Sequence, residues 1–437
     1  MEELQVPKRI ANTIMNALQG GVVPRTGLGY IAVGRDQEIS ALLKDVEIIE
    51  EGGATFRFVS GNYGSGKTFL LQSIKEHVMA KGFIVADADL SPERSLVGVP
   101  MNKKGLATFR ELMRNISTKT SPTGGALEKV IDRWMDSMYV EVAKDMTGLS
   151  SGMDMVQLVS DRIIDTIGEM TEMTNGFDFA AVLTLYWKAK QADDKDIKYK
   201  ALKWLRGEYR IKRDAQRELG ISNIIDDSDW FNYIKIYAEF FKKIGYSGFI
   251  IMIDEMINIY KYSRQSTRQK NYEIMLNMYN DALQGKAQYL GIIFGGTPKS
   301  VEDPDRGVFS YEALKSRLES GRFQKLNVVN LMTPIIRVQP LTKSEIVVLL
   351  EKITKIHTGL YDSNITVSEE ELIEFVQAVF NDPKNEYVTP RSIIRDYINL
   401  LNILYQNPGR RLGDIMGEYA YSSDQEEDLI DIDDDEF

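Results

Sequence analysis

Two apolar periods alternate along this chain, and the changes between them mark its elements. Spacing of three and four residues predicts helices over 7–18, 35–50 and 68–79. Pro7 stands where a helix start tolerates proline. In the second helix Ile39, Leu42, Leu43, Val46 and Ile49 fall on one face. Between the second and third helices, 55–60 (TFRFVS) is β-branched and aromatic, and 83–88 (FIVADA) is a second such run. Strand, loop, helix, strand is the grammar of a parallel sheet. The pattern is then helical almost throughout from about 122 to 244. Strand signals return at 249–253, 289–294 and 335–338, followed by helical stretches near 343–354 and 391–405. The expected class is therefore α/β, with a parallel sheet gathered from distant segments and a large helical insertion. No period of 20–50 residues repeats, which argues against a solenoid.

Composition narrows the chemistry. The 437 residues are 43% hydrophobic and 27% charged, enough for two or three domains with cores. No apolar run approaches the ~20 residues of a membrane span. The N-terminus, MEELQVPKRI, is charged and lacks a secretory apolar stretch, so a cytoplasmic location without membrane contact is expected. There is no Cys, and His occurs only at 77 and 357, which removes disulfides, thiolate chemistry and histidine-rich zinc sites. The net charge of −11 is uneven: 424–437 holds nine acidic residues and no basic one, leaving −2 for everything before it. A near-neutral body of this kind is compatible with local basic patches that meet nucleic acid.

The strongest signal lies between the first strand and its helix. Gly61-Asn62-Tyr63-Gly64-Ser65-Gly66-Lys67-Thr68 is G-x-x-x-x-G-K-[ST] in the strand–loop–helix context the motif requires. Its glycines let successive amides surround a phosphate, and the helix N-terminus adds positive potential. Lys67 is expected to reach the β- and γ-phosphates of ATP and Thr68 to ligate Mg²⁺, with Phe69 completing the binding segment. A second half is expected where an apolar strand ends in an acid, and 248–255 (GFIIMIDE) supplies it. Asp254 is the candidate metal ligand and Glu255 the group that polarises an attacking water, a pairing that favours hydrolysis over phosphoryl transfer to a metabolite. Thr297, after the apolar strand 289–294 and two glycines, is placed to sense a γ-phosphate.

Together these residues resemble an AAA+ or related ASCE ATPase near the initiator and STAND-like branches. Val33-Gly34-Arg35-Asp36-Gln37-Glu38 is similar to the GRxxE box those branches carry near the adenine, which implies cofactor-binding roles for Gly34 and Arg35. Asp89-Leu-Ser-Pro-Glu-Arg94, Phe109-Arg-Glu-Leu-Met-Arg114 and Val388-Thr-Pro-Arg391-Ser-Ile-Ile-Arg395 resemble the BrxD-type P-loop family, ATP-binding proteins of BREX phage-defence systems. Pattern, composition and resemblance together give the expected layout: an N-terminal helix and loop (1–30), an ATPase core in two parts (31–120 and 246–340), the helical insertion (121–245), a helical lid (341–415) and an acidic disordered tail (416–437). The resemblance also implies a trans-acting arginine finger, Arg317 or Arg322, in a homo-oligomer, and a phosphate sensor at Arg391 on the lid.

Weaker signals concern partners. Lys198–Arg217 carries eight basic residues with Tyr199, Trp204 and Tyr209 interleaved, either a nucleic-acid helix or a solvated helix with its aromatics inward. Residues 261–270, with Lys261, Arg264, Arg268 and Lys270, form a basic loop that could touch a DNA or RNA backbone. The acidic tail ending in Phe437 is similar to the tips with which single-stranded DNA-binding proteins dock on helicases, which implies a helicase or other defence-system partner. The leading expectation is an ATPase that oligomerises and acts with nucleic acid in antiviral defence. The alternative is a slow nucleotide-dependent scaffold or switch that recruits an effector, and a small-molecule kinase comes third.

Overall fold

A computed structural model describes residues 6–98, 104–145, 155–168, 176–319, 330–381 and 389–417. These form two compact units, one of 1–39, 61–73 and 338–437, the other of 40–60 and 74–337. Arg322, Val388 and the acidic run 424–437 lie outside the described residues.

The larger unit is built on five strands: β1 (Ala54–Ser60), β2 (Ile84–Asp89), β3 (Phe249–Asp254), β4 (Leu290–Gly296) and β5 (Ile335–Arg337). They pair in parallel in the order β2-β3-β4-β1-β5. Each of the five expected strands is present within a residue or two. β4 is buried at every position and β1 at every position after its first, as an unbroken apolar run requires when both sheet faces are covered. Phe56 and Phe58 of β1 meet Phe294 of β4 with ring centroids 5.2–5.7 Å apart, Phe58 stacked on Phe294 and Phe56 edge-on to Phe58. Arg57, on the other face of β1, is buried because Asp45 receives it bidentately at 2.5 and 2.6 Å and its Nη1 reaches the Thr333 carbonyl at 2.6 Å.

The stretch read as a helical insertion holds Leu127–Asp145, Met155–Gly168, Gly176–Gln191, Lys195–Leu205, Lys212–Leu219 and Trp230–Lys243. It shares one hydrophobic core with the sheet. Aromatic contacts carry the join: Trp134 meets Phe240 at 5.1 Å, Phe179 meets Phe240 at 5.4 Å, and Phe241 meets Phe249 of β3 at 5.1 Å. Of the three aromatics in the basic stretch, Trp204 and Tyr209 are buried and only Tyr199 is exposed. Several of its cations are paired there, Lys198 with Glu128 and Asp132, Lys200 with Asp196, Lys203 with Glu218, and Arg217 with Asp214 and Glu218.

The smaller unit packs helix Lys8–Gln19 with Lys343–Tyr361, Glu369–Asn381 and Pro390–Gln406 around Ile14, Leu350, Ile353, Phe375, Ile393 and Tyr397. Helices Lys343–Tyr361 and Pro390–Gln406 open with capping boxes, Thr342 with Glu345 and Thr389 with Ser392, which satisfy amides at their first turns. His357 is fully buried here, its Nε2 3.2 Å from Asn402 Oδ1, and burial holds its pKa below the ordinary value. Among the described residues no helix is long and apolar enough to cross a membrane.

Candidate nucleotide-binding site

The chain leaves β1 at Ser60 directly into Gly61, and helix Lys67–Ala80 begins at the motif lysine. Within the smaller unit, three distant segments shape the intervening loop. Gly61 lies so close to Val338 and Ser65 that a Cβ there would stand 3.0 Å from the Val338 carbonyl oxygen and 2.4 Å from Ser65 Oγ. Gly64, with φ +77°, faces Thr389, whose Cβ a side chain at 64 would meet at 2.8 Å. Gly66, with φ +93°, backs onto the Arg35 guanidinium. Positive φ is what only glycine adopts without strain, so Gly64 and Gly66 are conformational requirements of this loop.

Arg35 explains how the loop is held. It is 4% exposed, and one Nη donates to the carbonyls of Ser65 at 2.6 Å and Gln339 at 2.8 Å. The other donates to its neighbour Gly34 and pairs with Glu38 at 3.4 Å. Gly34 is tight against Glu345, whose carboxylate is in turn bonded to the amide of Thr342 at 2.7 Å. The GRxxE box therefore acts here on the loop's backbone and on the start of the helix at 343. Lys67 donates to the Gly61 and Asn62 carbonyls at 2.8 and 3.2 Å, and its ammonium lies 5.5 Å from the ring centre of Tyr63, itself 64% exposed. Thr68 and Asn62 are exposed, Ser65 is buried, and Phe69 packs on the helical core. Arg391 is exposed in the first turn of Pro390–Gln406, two residues from the threonine that touches Gly64, with its stem over Gly21. The smaller unit thus brings together the loop, Gly34, Arg35 and the start of the Arg391 helix.

In the larger unit, Asp254 is the last residue of β3. Its Oδ1 accepts from the Glu255 amide at 2.7 Å, and Gly295 of β4 passes so near that a Cβ would be 2.2 Å from that oxygen. Glu255 has φ +62°, a conformation that strains a non-glycine residue and projects it out of the strand line. Met256 then returns to pair with the Gly295 carbonyl at 3.1 Å. Beside them Asp89 ends β2 in register with Asp254. Although exposed, its carboxyl is held above the ordinary value, by desolvation first and by the Asp254 charge next. The sequence reading did not place Asp89 beside Asp254, although both end a strand in an acid.

Thr297 caps helix Pro298–Glu302, its hydroxyl accepting from the Ser300 amide at 3.2 Å, so that oxygen already serves the local turn. Arg317 lies exposed on helix Glu312–Leu318 and donates to the Ala313 carbonyl at 2.6 Å. The basic segment 261–270 is loop only to Arg264; helix Gln265–Leu283 follows, and Arg268 is buried against the Tyr262 and Ser263 carbonyls.

The Thr68 hydroxyl of the smaller unit and the Asp254 carboxylate of the larger are each hard oxygen donors of the kind Mg²⁺ accepts, an ion that ordinarily takes one or two protein ligands alongside substrate phosphates and water.

Residues 6–419 match the family described as BREX system ATP-binding protein BrxC/D. The chain belongs to this family. No curated relative matches its sequence. The family establishes an ATP-binding protein of BREX antiviral defence, in agreement with the α/β fold and its P-loop.

Proposed function

We propose that this BrxC/D-family protein hydrolyses ATP and couples that cycle to nucleic acid and to partner proteins of the defence system. The observation that carries the reading is the strand order. β4 pairs with both β1, which feeds the 61–68 loop, and β3, which ends in Asp254. With about 4.8 Å between neighbouring strands, the carboxyl ends of β1 and β3 are about 10 Å apart, and ligands of such sheets gather at those ends.

In this reading the loop amides and Lys67 bind the triphosphate. Thr68 and Asp254 hold Mg²⁺, which would neutralise phosphate charge. Glu255 orients and polarises water. Gly34 and Arg35 keep the loop in its binding shape, and Arg391 contacts phosphate from the helix above it in sequence. The exposed guanidinium of Arg317 is available to a neighbouring copy, where a finger contributes on the order of 10³–10⁵ in rate. The chain accordingly works as a homo-oligomer.

The test combines Lys67→Ala and Glu255→Gln. Lys67→Ala should lose ATP in calorimetry, and Glu255→Gln should bind ATP yet leave it intact. Normal turnover in Glu255→Gln would remove its assigned role. Tight retention with no turnover in the wild type, with or without DNA, would favour the scaffold reading instead.

A further inference from the structure

The basic segment that follows β3 lines a cavity of about 310 Å³ in the larger unit. Lys104 faces it from one segment; Arg264 and Lys270 face it from the start of helix Gln265–Leu283. No acidic residue lines it, and none of the three cations makes an ion pair among the described residues. Ser263, Ser266 and Thr267 add hydroxyls, and the helix opens there without a side-chain cap on its first amides. Tyr262 completes the wall as an aromatic surface, with the Lys104 ammonium 5.2 Å from its ring centre.

The wall is built rather than incidental. Buried Arg268 donates to the carbonyls of Tyr262 at 2.7 Å and Ser263 at 3.1 Å, and Arg306 donates to Tyr262 at 3.2 Å and Tyr260 at 3.1 Å. On the opposite side the Asp227 carboxylate accepts from the amides of Gly98 at 2.7 Å and Leu106 at 2.9 Å, fixing the residues that flank Lys104. Acceptor groups of the surrounding backbone are thus turned to internal partners, while cations and hydroxyls line the space.

The geometry points to a binding pocket for a backbone phosphate of a single nucleic-acid strand, with Arg264, Lys270 and Lys104 as its charge partners and Tyr262 as a surface for the attached base. It rests on the reading that this chain acts with nucleic acid, and it shares no residue with the 61–68 loop. Three cations with neighbouring hydroxyls match a monoanionic phosphate, and a cavity of this size accepts about one nucleotide. An aromatic wall is what a strand adds over free phosphate.

The test uses the full chain and an oligothymidine of about 20 nucleotides, with binding followed by fluorescence anisotropy across a salt series. Arg264 and Lys270 are exposed, so Arg264→Gln and Lys270→Gln leave the core intact. Lys261→Gln removes an exposed charge close by that does not line the cavity. Arg264→Gln and Lys270→Gln should each weaken binding about fivefold at ~0.1 M salt and flatten the log–log salt slope by about 0.7, the effect of one lost phosphate contact on a single strand. Lys261→Gln should do neither. Equal losses in all three variants, or none, would overturn the pocket while leaving nucleic-acid binding in place. Absence of strand binding by the wild type would overturn both. Inorganic phosphate competing at the pocket while all variants bind the strand normally would assign it to free phosphate and overturn the proposal.

Discussion

Replacing Arg35 by Ala tests whether a residue with no reach to the nucleotide required can still set nucleotide affinity. Its side chain is almost wholly buried and supplies the short bonds to the Ser65 and Gln339 carbonyls. Truncation leaves both oxygens without that donor. A buried acceptor stripped of its partner costs about 1–3 kcal/mol, so the two together cost about 2–6 kcal/mol before the loss of the Glu38 pair. The Gln339 share falls on folding. The Ser65 share falls on the loop, because Ser65 lies inside the motif and its carbonyl orientation fixes the following amide. If that share is about 1–3 kcal/mol, ATP affinity should drop about 5- to 150-fold.

Calorimetric titration with MgATP measures the loop share, and thermal unfolding without nucleotide measures the other. Arg35→Lys, whose single nitrogen can donate to the Ser65 and Gln339 carbonyls but cannot also hold Gly34 and Glu38, should fall between wild type and Arg35→Ala in both. A folded Arg35→Ala protein with wild-type ATP affinity would refute the reasoning and show that the loop keeps its shape unaided.

Other consequences follow from the same geometry. Gly295→Ala places a methyl against Asp254 Oδ1, so the carboxylate must turn away from the Glu255 amide; the Mg²⁺ dependence of ATP affinity should weaken while metal-free binding persists, as titrations with and without Mg²⁺ will show. Glu255→Gly relieves a positive φ worth about 1–2 kcal/mol; the melting temperature should rise as turnover disappears, and a lower melting temperature would contradict the strain. Asp45→Ala leaves Arg57 buried without its carboxylate and should destabilise by about 3–5 kcal/mol in urea unfolding, whereas replacing both residues by apolar ones of similar size should recover most of it. His357 stays neutral in the fold because burial lowers its pKa, so its stability contribution is complete above the ordinary value of 6.5 and is lost as pH falls from there toward the folded value; a melting series from pH 8 to 5 should slope less in His357→Gln.

What was legible in the sequence was what apolar runs and glycine spacing encode locally. β3 and β4 announce themselves because they are apolar almost without interruption, β1 and β2 because they are rich in β-branched and aromatic residues, and the loop because its glycines and lysine stand at fixed intervals. Helix Gln265–Leu283 hid for the opposite reason. Its inward face includes Arg268 and Asn271 among Tyr272, Met275, Met278 and Tyr279, so the helical period is broken by buried polar groups. Asn271 is tolerated there because its side chain accepts from the Leu96 amide at 2.9 Å and donates to the Thr267 carbonyl at 2.8 Å. For Trp204 and Tyr209 the sequence left two readings open, and the fold selects the solvated helix with its aromatics inward, both rings being buried.

The loop's own shape illustrates a limit of a different kind. The motif states that Gly61 and Gly66 must be glycine, and the fold states why and adds Gly64 to them. Val338, Thr389 and Arg35 occupy the space their side chains would fill. Those three neighbours come from segments that no local pattern connects, the first leading into the helix at 343, the second capping the helix at 390, the third preceding the helix at 36. Within the smaller unit, loop conformation and helix packing are therefore one equilibrium. A ligand that pulls the loop from these contacts must also disturb the starts of two capped helices, and anything that shifts those helices must alter the loop's affinity by the same free energy. A partner bound to the helices Lys343–Tyr361 or Pro390–Gln406 would thus act on ATP without touching it. Thr389→Ser keeps the capping hydroxyl and deletes the methyl against the loop, whereas Thr389→Val keeps Cβ and a methyl there and removes the cap. Comparing ATP affinity across the two separates the direct contact from the helix: loss in Thr389→Ser alone assigns the coupling to the methyl, and loss in Thr389→Val alone assigns it to the capped helix.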